Sequence, residues 1–420
     1  MAGTLRRRHG EAQRNPFARL ISGQHVQSMK KDCKEQRITF VIGSMSLGGA
    51  ETQMALLATE LVRRGWDVTL FSFEDGPVRA SFESGGVRVV LGGYDSSAGG
   101  KLRKLALLVR GQLRLIGLLH RDRPHVLHAF LPLSNLLGAM AGKLARVPVI
   151  VTSRRALGLH QDRHPWWPWF DRFANACSNI VTVNSAAVGE DTVARDNIAR
   201  EKLALIYNGL QFSVPGDIVE VRQRLRQELS LSDTEIALVS VANLIPYKGH
   251  AELIEAFAAL RAEGANVTLF LVGEDRGIGA ALAAKADALG VGAAIRFLGR
   301  RSDVKTLLYA MDIGVMASHE EGFSNALLEK LAAGLPVVAT SVGGNPEALD
   351  GMPDCILVES KNPASLFSGL KQAVQEVCNS AQRRGLRSRI VIDRYSVDAA
   401  VSRHESIYRL GYGGERSEGH

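Results

Sequence analysis

The stretch "RITFVIGSMSLGGAETQMALLATELVRRGWDVTLFSF", Arg37 to Phe73, decides the fold class. It opens on a short β-branched run, residues 37–43, that reads as a strand. Gly48 and Gly49 follow, and a helix begins near Glu51 with Met54, Leu57, Ala58, Leu61 and Val62 on one face. Gly65 ends that helix, and "WDVTLFSF" is the next strand. Gly43 to Gly48 has the glycine spacing of a P-loop. Gly49 and Ala50, however, stand where such a loop needs Lys and Ser or Thr to hold phosphates and Mg²⁺, so the stretch should not hydrolyse ATP. Two readings remain: a tight strand-to-helix turn, or a cradle whose backbone N–H groups meet an anion at the head of the helix dipole.

The strand–helix alternation continues outward. "VRVVLGG", "HVLHAF", "VPVIVTS", "NIVTVNS" and "LALIYNG" read as further strands, mostly separated by helical lengths. At "NGLQFSVPGDI", Asn208 to Ile218, Gly and Pro break the pattern. It restarts with "IALVSVANL", "NVTLFLVGE", "AIRFLGR", "DIGVMAS", "LPVVATSVGG" and "DCILVE". The expected architecture is α/β: two doubly wound, Rossmann-like domains, residues 36–212 and 213–395, facing a central cleft. Residues 1–35 are expected to be a disordered basic leader, with Met29 an alternative start, and 413–420 a disordered tail.

The totals narrow the function. At 420 residues the chain exceeds one ordinary core. No apolar run approaches the eighteen or so residues of a membrane span, and the arginines near the N-terminus have no apolar stretch behind them. Cys33, Cys177, Cys355 and Cys378 lie far apart without metal-ligand spacing, which fits a cytoplasmic chain with reduced thiols. The net charge is +8, with eight Lys/Arg against three acids through Gln36. No aromatic–basic module accompanies it, so nucleic acid is not the expected partner. Sugar nucleotides, phosphorylated acceptors or an anionic membrane surface suit this balance.

Three features sit just after strands, where ligands of such sheets bind. One is the Gly48–Gly49 loop. The second is "VANLIPYKGH", Val241 to His250, in which Lys248 is either a cation for a diphosphate or a solvated loop lysine. The third, "ASHEEGFSNALLEKLAAGLPVVATSVGGNPEAL", runs from Ala317 to Leu349. Gly322 allows a sharp turn after Glu321, Ser324 or Asn325 caps a helix, and the first-turn amides form another anion site. Glu329, a turn into that helix, can accept hydrogen bonds from a ribose diol.

"EGFSNALLE" is an E-x7-E motif. With "GSMSLGGAE", "YNGL", "VANLIPYKG" and "FLGRRSDV" in order, the chain resembles the retaining GT-B glycosyltransferases of the large family 4 type, which includes sucrose synthases and bacterial lipopolysaccharide and capsule transferases. The resemblance covers most of the chain. It implies an acceptor-side first domain, a nucleotide-sugar-binding second domain, and a C-terminal helix, 396–412, crossing back to the first. It implies that Gly48, Gly49 and Lys248 contact the donor diphosphate and that Glu321 contacts the transferred sugar. Phe323, Ser324 and Asn325 then form the turn meeting sugar and phosphate, Glu329 binds the ribose, and Gly299 and Arg300 lie at the base.

Two positions depart from the family pattern. Asn243 replaces the arginine that usually pairs with the phosphate lysine, giving up a bidentate cation. Arg300, Arg301, Arg154 and Arg155 are candidates to restore that charge. The family's His-Gly pair after "VPVIVT" is replaced by Ser153-Arg154-Arg155. His128, after an earlier strand, is a different position; it stands beside Arg154 and Arg155 as a candidate for acceptor or phosphate contact, or as a structural strand-end histidine.

The implied reaction moves a sugar from a nucleotide-diphosphate donor to a sugar or lipid-linked sugar acceptor, in cell-surface polysaccharide or glycolipid synthesis. No D-x-D triplet occurs, so no metal and no cofactor are expected. The helix "KLRKLALLVRGQLRLIGLLHR", Lys101 to Arg121, is basic and leucine-rich: it either lies on an anionic membrane or packs on the sheet with snorkelling cations. "HPWWPWF", His164 to Phe170, is either an interfacial or sugar-stacking surface or the anchored start of a helix reaching Cys177. The expected location is the cytoplasm, with peripheral attachment to the inner face of the membrane as an option. Rival readings are a sugar-nucleotide-binding protein without turnover and an epimerase of the same fold.

Overall fold

The computed structural model describes residues 36–409, apart from the side chains of Arg163 and Cys378. The leader with Cys33, the tail, and the last residues of the expected C-terminal helix lie outside the described residues.

The first half alternates strand and helix throughout: β1 (Arg37–Ser44), α1 (Gly49–Arg63), β2 (Asp67–Glu74), α2 (Arg79–Ser84) and β3 (Arg88–Leu91). It continues with α3 (Lys101–Asp122), β4 (Val126–Phe130), α4 (Pro132–Leu144), β5 (Val149–Arg154) and α5 (Trp167–Cys177). It closes with β6 (Ile180–Val183), α6 (Ala186–Asp196) and β7 (Leu203–Leu205). The second half begins with α7 (Ile218–Glu228), β8 (Ile236–Val241), α8 (His250–Ala262), β9 (Val267–Val272) and α9 (Gly279–Ala288). Then come β10 (Ile295–Gly299), α10 (Val304–Leu307), β11 (Ile313–Met316), α11 (Asn325–Ala332), β12 (Val337–Thr340) and α12 (Asn345–Leu349). The last elements are β13 (Ile356–Val358), α13 (Pro363–Ala381), α14 (Arg384–Arg394) and α15 (Val397–Arg409).

Two parallel sheets result, ordered β3-β2-β1-β4-β5-β6-β7 and β10-β9-β8-β11-β12-β13. Each predicted strand forms, because a strand covered by helices on both faces must be apolar along its whole length. In β1, Phe40 and Ile42 face one layer and Val41 the other, which is the two-residue period of a strand sorting side chains between two cores. Leu115, Leu137 and Ala174 bring α3, α4 and α5 onto the Val41 face, where Leu127 of β4 also points. On the Phe40 face sit Met54 and Leu57 of α1, Phe82 of α2, and Tyr408 of the last helix.

That last helix leaves the second half and docks on the first. Arg64 pairs with Glu405 at 2.7 Å, and the Trp66 indole N–H donates to the Glu405 carboxylate at 2.9 Å. Tyr408 is fully buried, with its hydroxyl 2.7 Å from Nδ1 of His128. The second sheet is covered by α8, α9 and α13 on one face, through Leu253, Phe257, Leu282 and Leu370. Its other face carries α7 with α10, and α11 with α14.

Candidate active site

Both sheets reverse their winding at one point, between β1 and β4 and between β8 and β11. The crevice beyond the carboxyl ends of strands at such a point is the usual ligand site. Gly48–Gly49 follows β1, Lys248 follows β8 and Glu321 follows β11.

Lys248 closes a short turn, Pro246–Lys248, and Gly249 follows at φ 68°. A Cβ on Gly249 would stand 1.9 Å from the Ala317 carbonyl oxygen, so only glycine lets this turn press against the end of β11. The lysine thereby reaches Glu321, with Nζ 2.6 Å from Oε1. The Ser318 hydroxyl donates to the same oxygen at 2.7 Å. Gly343, at φ 51°, lies so close beneath that its Cβ would meet the Glu321 carbonyl at 1.8 Å. The acid and the cation are thus held by backbone that tolerates no side chain on either flank.

Beyond Glu321 the chain turns through Gly322 into α11. The Ser324 hydroxyl caps that helix, accepting from the Leu327 amide at 3.3 Å. The next amides, of Asn325 and Ala326, lie in the first turn of the helix at the cleft. Phe323 is buried and packs on Tyr207 and Tyr395, with ring centres 4.9 and 5.3 Å away, so its part is to anchor the turn. Glu329 is half-buried in the same helix, and burial pushes its carboxyl above the usual range.

The Asn325 side chain joins the two halves of the molecule. Its carbonyl accepts from Asn208 at 2.6 Å and from Gln53 at 3.1 Å, and its amide donates to the Gly49 carbonyl at 3.3 Å. Glu347 makes a second joint by accepting from the amides of Ala186 and Ala187, at 2.8 and 3.0 Å, in the first turn of α6. A third is steric: Gly322 packs where a Cβ would stand 2.2 Å from the Arg155 carbonyl.

The other candidates have the following surroundings. Glu51 folds over the first glycine loop, accepting from the Ser46 hydroxyl at 2.8 Å, with its other oxygen where a Gly48 Cβ would be. The Gly48–Gly49 cradle therefore already carries a carboxylate, a favourable arrangement at a helix head. The Asn243 side-chain carbonyl is committed to the Glu274 amide at 3.2 Å. Gly299 ends β10, its carbonyl accepting from the Gly273 amide, and Arg300 follows it, exposed; Arg301 pairs with Asp303.

Two candidates are corrected. His128 is fully buried between Tyr408 and the Ser153 hydroxyl, 2.8 Å from its Nε2, and burial holds its pKa well below the usual histidine value. It is a neutral core residue. Arg154 is buried against Asp171 and Asp196 and has no charge to lend. Arg155 stays at the cleft: its guanidinium donates to the Asn208 side chain at 2.6 Å, and burial lowers its pKa to about 10, leaving it charged at neutral pH.

Lys330 belongs to this neighbourhood, and the pattern of the sequence does not disclose it. It is fully buried, its stem crossing β11 at Gly314, where a Cβ would meet its Cδ at 2.6 Å. Its ammonium makes one long hydrogen bond, 3.4 Å to the Ala326 carbonyl, and burial brings its pKa down to about 8. Glu321, Glu329 and Lys248 are the charges that act on it. The one outward sign is a lysine on the apolar face of "NALLEKLA". Among the described residues no group of three or more His, Cys, Asp or Glu side chains is assembled as a metal site.

Residues 48–209 match the family described as glycosyl transferase 4-like domain, and residues 235–376 the family described as glycosyl transferases group 1. The chain is 24% identical over 388 residues to a D-inositol 3-phosphate glycosyltransferase of Corynebacterium diphtheriae, spanning 87% of this chain and 90% of that one. It is 20% identical over 314 residues, 73% of this chain and 81% of the other, to the UDP-Gal:alpha-D-GlcNAc-diphosphoundecaprenol alpha-1,3-galactosyltransferase of Escherichia coli. The structure of Anabaena HepE in complex with UDP superposes with a TM-score of 0.76 at 22% identity, over 89% of this chain and all 100% of that one, which establishes a shared fold. Matched in each half by a glycosyltransferase domain and folded like the GT-B enzymes, the chain belongs to the glycosyltransferases of the family 4 type.

Proposed function

We propose that this chain transfers a sugar from a nucleotide-diphosphate sugar to an acceptor hydroxyl, with retention of configuration and without a bound metal. The observation that carries this reading is the Lys248–Glu321 pair, 2.6 Å apart, in the cleft at the head of α11. A diphosphate lying along the α11 amides draws Lys248 from Glu321, which frees the carboxylate to accept hydroxyls of the transferred sugar. The bond from the sugar's anomeric carbon to the phosphate oxygen breaks, and the acceptor oxygen attaches on the same face. The acceptor's proton passes to the departing phosphate oxygen. Position and electrostatics supply the rate, with Glu329 on the ribose and Arg155 and Asn325 fixing the facing domain.

The relatives support a choice of substrates. HepE has been solved with UDP and with UDP-glucose, which favours a uridine donor. The E. coli relative is named for a diphosphoundecaprenol-linked acceptor, which favours a lipid-linked sugar at the cytoplasmic face of a membrane and a role in polysaccharide or glycolipid synthesis. The test is thermal stabilisation of the purified chain by UDP-, GDP- and ADP-sugars, with ATP and NAD as controls. One nucleotide sugar should raise the midpoint selectively, and less so in Lys248→Ala. Selective stabilisation by ATP or NAD would overturn the reading. Transfer is expected to persist in EDTA; activity abolished by EDTA and restored by Mg²⁺ or Mn²⁺ would remove the metal-independent part.

A further inference from the structure

Three consecutive helices, α3, α4 and α5, cover one face of the first sheet, and their inward residues fill one core. Their outward residues are unusual. On α3, Leu102, Leu105, Val109 and Leu113 are 84%, 56%, 50% and 64% exposed. Spaced at three and four residues, they form a stripe that turns away from the buried Leu115, Leu118 and Leu119. Leu133 at the start of α4 is exposed, as are Trp166, Trp169, Phe170 and Phe173 on and beside α5. An apolar surface spread over three neighbouring helices exceeds the scattered exposed leucines of an ordinary soluble face.

The charge on this face has one sign. Lys101, Arg103 and Arg110 flank the α3 stripe, and Lys143 and Arg172 lie exposed on the helices beside it. The three helices contain only two carboxylates, Asp122 and Asp171. Asp122 is held by Arg88 and Arg121, and Asp171 is buried against Arg154. With both carboxylates already paired, this face offers no free negative charge to fix the register of a protein partner that carries charges of both signs. Leucine and tryptophan ringed by cations alone match an anionic lipid surface, where apolar side chains enter the acyl boundary and cations meet headgroups.

Position adds the third argument. In a parallel βα unit each helix begins at the carboxyl end of its strand, and here those ends border the cleft. Leu102 and Leu105 open α3, Leu133 opens α4, and Trp166 and Trp169 open α5. Each of the three helices thus exposes apolar side chains at its cleft-side end; Val109, Leu113 and Phe173 carry the face further along α3 and α5, and Leu144 is exposed at the far end of α4. From this geometry we infer that the outward face of α3–α5 docks on an anionic bilayer, with the first turns seated at the headgroup level so that a lipid-linked acceptor enters the cleft from that edge. The route of the acceptor rests on the transferase reading; the docking itself does not.

The test is co-sedimentation of the full chain with vesicles rich in phosphatidylglycerol and with pure phosphatidylcholine vesicles, followed by tryptophan quenching with brominated lipids. The wild-type chain should sediment with the anionic vesicles, less strongly as salt rises, and its emission should be quenched. Leu102→Glu with Leu105→Glu, and separately Trp169→Glu, should each weaken binding about tenfold or more, since each sets a carboxylate on the membrane-facing side. These positions are exposed, so the thermal midpoint and its shift by nucleotide sugar should remain as in wild type. Absence of sedimentation overturns the inference, as does equal binding by the variants, which would place attachment elsewhere, in the basic N-terminal residues for instance. A wild-type dimer that Leu105→Glu converts to monomer would overturn it in favour of self-association. Vesicle binding without any response to nucleotide sugars would defeat the transferase reading and leave the docking face standing.

Discussion

At the scale of single residues, the site depends on charges largely shielded from solvent. Glu321→Gln should keep the fold and lower turnover a hundredfold or more (~3 kcal/mol of transition-state stabilisation). Lys248→Ala should chiefly weaken donor binding, so steady-state kinetics on the two variants should separate kcat from KM. If both transfer sugar at wild-type rates, the assignment of this pair is wrong. Lys330 makes the opposite kind of prediction. Its pKa, lowered to about 8 by burial, means that at pH 7 the fold carries a poorly partnered ammonium at a cost of roughly 3 kcal/mol. Lys330→Met should therefore raise the unfolding midpoint, and an unchanged or lower midpoint would show that the ammonium has better partners than the Ala326 carbonyl. Lys248 and Glu321 were legible in the sequence because each follows a strand beside a glycine. Lys330 was not, since a lysine in a helix reads as surface, and only the glycine at position 314 makes room for its stem.

At the scale of elements, the strands were legible and their far partners were not. Each strand is a short β-branched run, and burial on both faces demands that pattern locally. His128 shows the limit: the same run gave a strand-end histidine, but its fate is set by Tyr408, 280 positions along the chain. The helix that carries Tyr408 also carries His404, buried 5.7 Å from the His128 ring, with its pKa lowered from 6.5 to about 4. Both histidines are neutral in the fold and charged when exposed below pH 6.5, and Arg155 opposes their protonation further. A depressed histidine pKa gives stability that is complete above 6.5 and lost as pH falls towards 4, worth roughly 3 kcal/mol for His404 alone. Docking of α15 should thus weaken between pH 6.5 and 4. Thermal midpoints across that window should fall less steeply in His404→Leu than in wild type, and equal slopes would assign the acid response to other groups.

At the scale of the whole molecule, the two domains are clasped by polar contacts that a few side chains control. Asn325 bonds to Asn208, Gln53 and Gly49 while its own amide lies in the proposed phosphate site. Asn325→Ala should raise the radius of gyration of the unliganded chain in small-angle scattering. An unchanged value would mean that Glu347 and the Gly322–Arg155 contact hold the domains by themselves. None of these clasps was legible beforehand, because the sequence shows which residues end strands but not which of them meet across a cleft. The return of α15 has a consequence for how the molecule is made. The first domain is translated before the second, yet its core includes Val401, Ile407 and Tyr408, which follow the whole of the second. Until α15 has been made, Phe40 and Trp66 face an empty groove and His128 lacks the hydroxyl that completes it. The nascent first domain must wait, incompletely closed, through translation of the entire second one, and its final packing step follows the making of α15.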